Sequence, residues 1–477
     1  ITPPMPLSSS PPNATSLLMA GSEEKRILLI VSSLASFLVP YTVSSLNVAL
    51  PAISGAFGLD AITLGWVTSV YMLTAAVCIV PFGKIADIYG RKRVFLAGNL
   101  LFVAGSLFAA VSWAGYALIA ARIVQGLGGA MVFSTSIAII TAVFSPGERG
   151  RAIGIVTATV YAGLSLGPFL GGILTQHAGW PSIFLVNVPL GLAVITLTLL
   201  HVPGEWAESE ERAFDFPGSV LYGLMLIGCI YGLTLLPSLS GLLWMAAGLL
   251  LLSVFWWWER RSSHPVLDPS LFSKNPIFLY SNLAALINYA VVFAVGFLLS
   301  LYLQFIRGMD PQTAGIVLVA QPVVQTLVSP AAGHLSDSID PRILATVGMG
   351  LSTAGLGILA LLSPDTPVLV IVGGLVILGL GYGLFSSPNT NAIMSSVSVR
   401  HLGIASGMVS TMRAIGQMVS LAIAMMVFSL VIGNVQISPE VYPQLQESVN
   451  LAFSVFFVLG LIGIWASFSR GRTRTPK

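Results

Sequence analysis

Apolar residues in this chain gather into about fourteen stretches of roughly 18–30 residues, divided by short polar loops. They run approximately over residues 27–57, 62–82, 94–113, 116–144, 151–175, 182–202, 217–236, 241–258, 276–306, 312–333, 343–362, 367–392, 403–432 and 450–468. A bilayer core takes about 20 apolar residues per crossing helix, so each stretch predicts one transmembrane span. The expected fold class is an all-α integral membrane protein with fourteen spans.

The loops give the chain a direction. Eighteen of the twenty-one Lys and Arg residues fall in the tails or the even-numbered loops. They include Lys84, Arg91, Lys92 and Arg93 after span 2, Arg212 and Lys274 around the central spans, Arg400, and Arg470, Arg472, Arg474 and Lys477 at the end. Arg307 alone falls on the other side, and Arg122 and Arg413 lie within spans. Basic residues accumulate in cytoplasmic loops, so both termini are expected in the cytoplasm. One missed helix would invert every later loop, which ties span count and orientation together. Trp256, Trp257 and Trp258 beside Arg260 and Arg261 fit an interfacial aromatic belt.

Composition agrees: 55% of residues are hydrophobic and 8% charged, with mean hydropathy +0.91, against about 25% charged in a soluble domain. The net charge of +3 belongs to the cytoplasmic loops and gives no reason to expect nucleic acid as a partner. Cys78 and Cys229 both fall in spans, which argues against a disulfide framework. The Pro- and Ser-rich start reads as a disordered tail, and opening on Ile1 suits a trimmed or processed chain. The Asn13 sequon sits on the expected cytoplasmic side, where it would go unused.

The chain also repeats. GKIADIYGRKR (83–93) after span 2 and GHLSDSIDPR (333–342) after span 10 share Gly, Asp and a basic residue at an offset of 250. Gly154 and Gly403, and Gly167 and Gly416, recur at 249. Two six-helix halves with two inserted central spans account for both. The expected organisation is a tail over 1–26, a half over 27–202, a two-span insert with cytoplasmic linkers over 203–275, a second half over 276–468 and a basic tail over 469–477. Such repeats mark transporters whose site lies between the halves near the midplane.

Several motifs now resemble one family, the major facilitator superfamily, and its 14-span drug:proton antiporter branch in spacing. Residues 83–93 resemble G-x-L-A-D-x-x-G-R-K. RIVQGLGGA (122–130) resembles the span-4 motif R-x-x-Q-G-x-G-x-A. GLSLGPFLGG (163–172) resembles the span-5 antiporter motif, and NVALP (47–51) the end of a span-1 motif. The resemblance covers about residues 25–470. It implies a secondary transporter of the cell membrane that exports amphipathic small molecules by alternating access, coupled to protons, working as a monomer, with no enzymatic activity and no cofactor. One departure stands out. The branch usually carries an acidic residue five positions before the span-1 Asn, and here that position is Thr42. All eighteen carboxylates fall in loops, tails or helix ends. An anionic, lipid-like or metabolite substrate, moved by a uniporter or with a different coupling ion, therefore stands as the alternative.

Candidate residues follow. A cation inside a bilayer is costly and faces protein or water. Arg122 is matched by the family residue linked to proton coupling, and Arg413 is the second such cation. Gly83, Asp87, Gly90, Arg91 and Arg93 form the cytoplasmic gate motif. Gly163, Gly167 and Gly171 share one helix face, which lets two backbones approach, and Pro168 bends that helix. Tyr41, Thr42, Asn47, Tyr71, Gln125, Asn288, Gln321, Gln325 and Tyr382 are the expected cavity lining, mostly neutral and aromatic. No phosphate-binding Gly-rich loop, catalytic triad or metal-ligand spacing can be placed, so neither ATP drive nor a metal is expected.

Overall fold

The computed structural model of the chain describes residues 22–144, 146–202, 214–262, 275–397, 402–433 and 435–471. The Asn13 sequon, Arg212, Lys274, Arg400, Arg472, Arg474 and Lys477 lie outside them, as does most of both expected tails. The side chains of Arg149 and Asp337 are also outside.

Among the described residues, fourteen helices are long and apolar enough to cross a membrane. They are α1 Ser22–Phe57, α2 Ala61–Tyr89, α3 Arg91–Ala110, α4 Gly115–Val143 and α5 Pro146–Ala178. Then come α6 Ser182–His201, α7 Phe216–Thr234, α8 Leu239–Glu259, α9 Pro276–Ile306 and α10 Pro311–Ser336. The last four are α11 Pro341–Leu359, α12 Val368–Ser395, α13 Leu402–Val431 and α14 Tyr442–Ser469.

In hydrocarbon every backbone polar group must be satisfied within the protein, and the helix ends and breaks show how. Asp60 caps α2 by accepting from the amides of Ile62 and Thr63, both at 2.9 Å. Asn275, Asp310 and Asp340 each stand before a proline that opens the next helix, since proline lacks the amide that the first turn cannot use. Hydrogen bonds from Thr313 to Asp310 hold its carboxyl below the usual carboxylate range. Gly90 alone joins α2 to α3 at φ 113, a conformation glycine reaches without strain. α9 breaks at Phe293 and Ala294, and the freed Ala294 amide donates to Ser420 Oγ of α13 at 2.9 Å.

The internal repeat has a three-dimensional counterpart. A Cβ added at Gly98 of α3 would stand 3.0 Å from the Gly128 carbonyl of α4. One at Gly348 of α11 would stand 2.6 Å from the Gly381 carbonyl of α12. The α2–α4 crossing repeats likewise: a Cβ on Gly126 would stand 2.6 Å from the Tyr71 carbonyl, and one on Gly379 would stand 2.5 Å from the Gln321 carbonyl. Tyr71 and Gln321 are themselves 250 positions apart.

The α7–α8 hairpin is a tight pair, with Gly228 against Gly248 and Gly232 against Met245. α7 packs across α2 and α13, where Tyr222, Met225 and Leu226 meet Leu73, Ala76 and Met418, and the Tyr222 hydroxyl donates to the Ala76 carbonyl at 3.3 Å.

Two boundary expectations change. The N-terminal tail expected through residue 26 is helical from Ser22, where Glu23 and Glu24 occupy the first turn of α1 and complement its dipole. Arg470, expected in a basic tail, is buried. It donates to Asn389 Oδ1 of α12 at 2.8 Å and to Ser281 Oγ of α9 at 3.3 Å. Burial lowers this guanidinium to about 10.

The halves touch at the end bearing the odd-numbered loops. There Gln304 Nε2 donates to the Val48 carbonyl at 2.9 Å, His177 meets Gln312 at 3.1 Å, and Asp60 and Gln436 form an isolated β-bridge. Nearer the middle, the Ser165 and Thr326 hydroxyls lie 3.2 Å apart. At the basic end the halves part around a cavity of about 470 Å³, with Ser136, Ile137 and Thr157 on one wall and Ser387, Thr390 and Asn391 on the other.

Candidate functional site

That opening leads inward to two adjoining hollows of about 120 Å³ each. Tyr161 and Arg413 belong both to the opening and to the nearer hollow, which also includes Tyr71, Tyr382 and Gln417. The deeper hollow is bounded by Asn47, Tyr289, Gln321, Gln325, Tyr382 and Gln417. The walls come from both halves, through α1, α2 and α5 on one side and α9, α10, α12 and α13 on the other. Among the described residues, neither hollow nor the opening has an Asp or Glu in its lining.

Arg413 is half-buried in this wall. Its Nε donates to the Tyr289 hydroxyl at 3.1 Å, and its guanidinium lies 5.3 Å from the Tyr289 ring centroid. Tyr289 in turn meets Tyr382 edge-on at 5.7 Å. Gln417 stands four residues beyond Arg413 and so on the same helix face.

Arg122 is placed otherwise. It is fully buried inside the first half and lines none of these hollows. Nε donates to the Val67 carbonyl of α2 at 3.1 Å, Nη1 donates to Gln125 Oε1, and Gln125 Nε2 reaches Ser106 Oγ of α3 at 2.7 Å. The guanidinium stacks 4.2 Å from the Tyr71 ring and 5.9 Å from Phe184. Tyr71 is thus a partition, with Arg122 at its ring and the nearer hollow beside it.

In the gate motif, Arg91 Nη2 sits 2.9 Å from Asp87 Oδ1, and Arg91 Nη1 donates to the Ala138 carbonyl of α4 at 3.2 Å. Both partners belong to the first half. Gly83 faces Ser134 of α4. Arg93 lies in the first turn of α3.

The glycines of α5 meet α1. A Cβ on Gly163 would stand 2.5 Å from the Phe37 carbonyl, and one on Gly171 would stand 2.8 Å from Ser45 Cα, while one on Gly167 would run into Ser44 Oγ. α5 stays helical through Pro168, whose carbonyl lies against Gly315 of α10. A Cβ on Gly172 would stand 2.6 Å from the Pro311 carbonyl. The motif therefore packs α5 on α1 by one face and closes the odd-loop end by another.

Of the nine expected lining residues, Asn47, Tyr71, Gln321, Gln325 and Tyr382 border the hollows. The other four do not, and each has its own reason. The Thr42 hydroxyl donates to the Leu38 carbonyl of its own helix at 2.9 Å. Tyr41 is buried and stacks on Phe37 at 5.6 Å. Gln125 is taken up by Arg122 and Ser106. Asn288 turns into the second half and meets Met349 Sδ at 3.2 Å. Gln417 and Phe293 line the site without having been singled out. The i+4 spacing from Arg413 could have pointed to Gln417, whereas nothing in the local sequence marks Phe293.

The sequence model of the Major Facilitator Superfamily matches residues 32–421. The riboflavin transporter RibZ of Clostridioides difficile is 32% identical over 394 residues, 82% of this chain and 85% of that protein. The multidrug resistance protein Stp of Mycobacterium tuberculosis is 34% identical over 405 residues, 83% of this chain and 74% of that one. Among solved structures, a bacterial homolog of the human lysosomal transporter Spinster superposes with TM-score 0.67 at 18% identity, over 94% of this chain and 98% of that one. That likeness is one of fold.

Proposed function

The chain belongs to the Major Facilitator Superfamily, and from that membership we propose that it exports amphipathic small molecules across a cell membrane by alternating access, working as a monomer with both termini and the basic loops in the cytoplasm. The observation that carries this reading is the asymmetry of the two ends. Contacts between the halves seal one end, while the end rich in Lys and Arg opens onto a tyrosine- and amide-lined hollow. With basic loops inside, the cavity stands open to the cytoplasm, the side from which an exporter loads. The division into two halves with a central insert supplies the moving bodies.

Proton antiport is the coupling this reading carries. Asp87, Arg91 and Arg93, with Gly83 and Gly90, would form the gate that must close at the basic end. Arg122 would couple the gate's half to the cavity through Tyr71, since that one ring borders both. A second reading is favoured by the absence of carboxylates from the lining: an anionic, lipid-like or metabolite substrate moved without a coupled proton. A drug-resistance protein and a riboflavin transporter among the relatives support either breadth of substrate.

Proteoliposomes with a pH-sensitive dye inside, offered cationic, neutral and anionic compounds, test the two readings. Proton movement that follows a compound and is lost in Arg122→Ala or Asp87→Asn supports antiport. Uptake without proton movement supports the second reading. No uptake of any compound overturns export.

A further inference from the structure

We propose that Arg413 is the anion-binding residue of the cavity, and that the preferred substrates carry one negative charge beside a planar ring. The ring would lie among Tyr161, Tyr289 and Tyr382. This deepens the transport reading and rests on it, since the hollow must be the path.

A guanidinium taken out of water loses several kcal/mol of hydration, and inside a membrane it normally faces a counter-charge, a carbonyl or water. Among the described residues Arg413 has one hydrogen bond, from Nε to the Tyr289 hydroxyl, and no ion pair. A guanidinium has five N–H donors, so its terminal nitrogens remain available where the side chain lines the hollow. The walls supply no carboxylate to meet them. Arg122 is the contrast within the same molecule: it lines no hollow, its Nε and Nη1 donate to Val67 and Gln125, its Nη2 is buried without a hydrogen-bond partner among the described residues, and the Tyr71 and Phe184 rings lie over the guanidinium. One arginine is enclosed by protein groups with no cavity beside it, and the other lines a hollow that a ligand can enter.

The surroundings then select what accompanies the charge. Tyr289 and Tyr382 stand edge to face, and Tyr161 belongs to the same wall. Aromatic walls of this kind favour a planar partner, by stacking or edge contacts. The Gln417, Gln321 and Gln325 amides lie in the deeper hollow, where they can pair with neutral polar groups of the ligand but supply no net charge. A bidentate carboxylate or a similar acidic group suits the guanidinium fork, whereas a cationic compound would be repelled by Arg413 and would have only ring faces and neutral amides to offset that.

The test uses three probes built on one ring system: naphthalene-2-carboxylate, its methyl ester, and a naphthyl-trimethylammonium. Each is titrated against the purified full-length protein in detergent by calorimetry. The carboxylate is expected to bind at least about tenfold tighter than the ester, and the cation more weakly than either. Arg413→Gln should bring carboxylate and ester together, and Arg413→Lys should keep part of the preference. If Arg413→Gln does not fold, Tyr289→Phe, which removes only the hydroxyl holding Nε, should reduce the preference a few-fold. Equal affinity for all three probes, preference for the cation, no binding at millimolar concentrations, or a carboxylate preference that survives Arg413→Gln would each overturn the proposal. Uptake of the same probes into proteoliposomes separates this from the broader reading. Charge-selective binding without uptake leaves the subsite and removes the transport role, and uptake blind to charge does the reverse.

Discussion

Arg122 and Arg413 are both cations within membrane spans, yet the two halves use them in opposite ways. In the first half, Arg122 is enclosed by α2, α3 and α4, with carbonyl, amide and ring partners all supplied by its own half. In the second, Arg413 stands in the cavity wall with Tyr289 as its holder. The difference shows that depth in the bilayer does not by itself define a cation's role. The partners decide it. Arg122 is closed off from the cavity by its own half, whereas Arg413 lines the hollow that opens at the basic end.

The widest gap between the two should be in stability. Arg122→Ala is expected to cost about 2–4 kcal/mol, because it leaves a void and strips partners from Gln125 and the Val67 carbonyl. Arg413→Ala should cost less than about 1 kcal/mol, since its cavity already admits water. Denaturant unfolding in detergent measures both, and equal costs would erase the contrast. Next comes the scaffold around Arg122. A Cβ on Gly105 would stand 2.6 Å from the Gln125 amide nitrogen, so Gly105→Ala should lose about 1–3 kcal/mol through overpacking. Gly407→Ala on α13, with nothing within 4 Å of the added carbon, should stay within about 0.5 kcal/mol of the parent by the same measurement.

A smaller effect concerns access. Gln304→Ala removes the bond to Val48 that helps close the odd-loop end. About 1 kcal/mol lost there should shift the balance of open and closed forms roughly fivefold. Labelling a cysteine at Ser410, which lines the opening, should slow accordingly, while one at Ser106 beside Gln125 should stay unreactive in both forms. The smallest effect is expected at the gate. Asp87 is half-exposed and pairs with Arg91 of its own half, so Asp87→Asn should change stability by less than about 1 kcal/mol. A larger loss would mean that the motif already bears on the fold in this conformation.

Much of this was legible along the chain because hydrocarbon leaves few choices. Span number follows from apolar length, and the repeat follows from glycines that two halves need at equivalent helix crossings, as at Gly98 and Gly348. Which way a helix turns its polar residues was much less legible. Thr42 and Asn47 are five positions apart on α1, yet one hydroxyl satisfies its own helix and the other side chain borders the hollow. Asn288 and Tyr289 are neighbours that face different partners, Met349 and Arg413. Apolar spans carry no amphipathic stripe to fix rotation, so facing is set by helix–helix packing that a single sequence does not display. Arg122 stood out through its motif, but a motif names a position and not the direction it faces.

The anion site proposed at Arg413 would also make transport sensitive to voltage. With an anion on Arg413 the cavity is close to neutral, whereas empty it keeps one positive charge. A unit charge crossing the full field is worth about 2.3 kcal/mol per 100 mV, close to a fiftyfold bias. With the basic end in the cytoplasm, as proposed, a potential negative inside would favour the cytoplasm-facing form of the empty carrier, in proportion to the part of the field that Arg413 traverses, and leave the loaded one almost unaffected. The resting potential could then supply directional drive through the same side chain that binds the substrate.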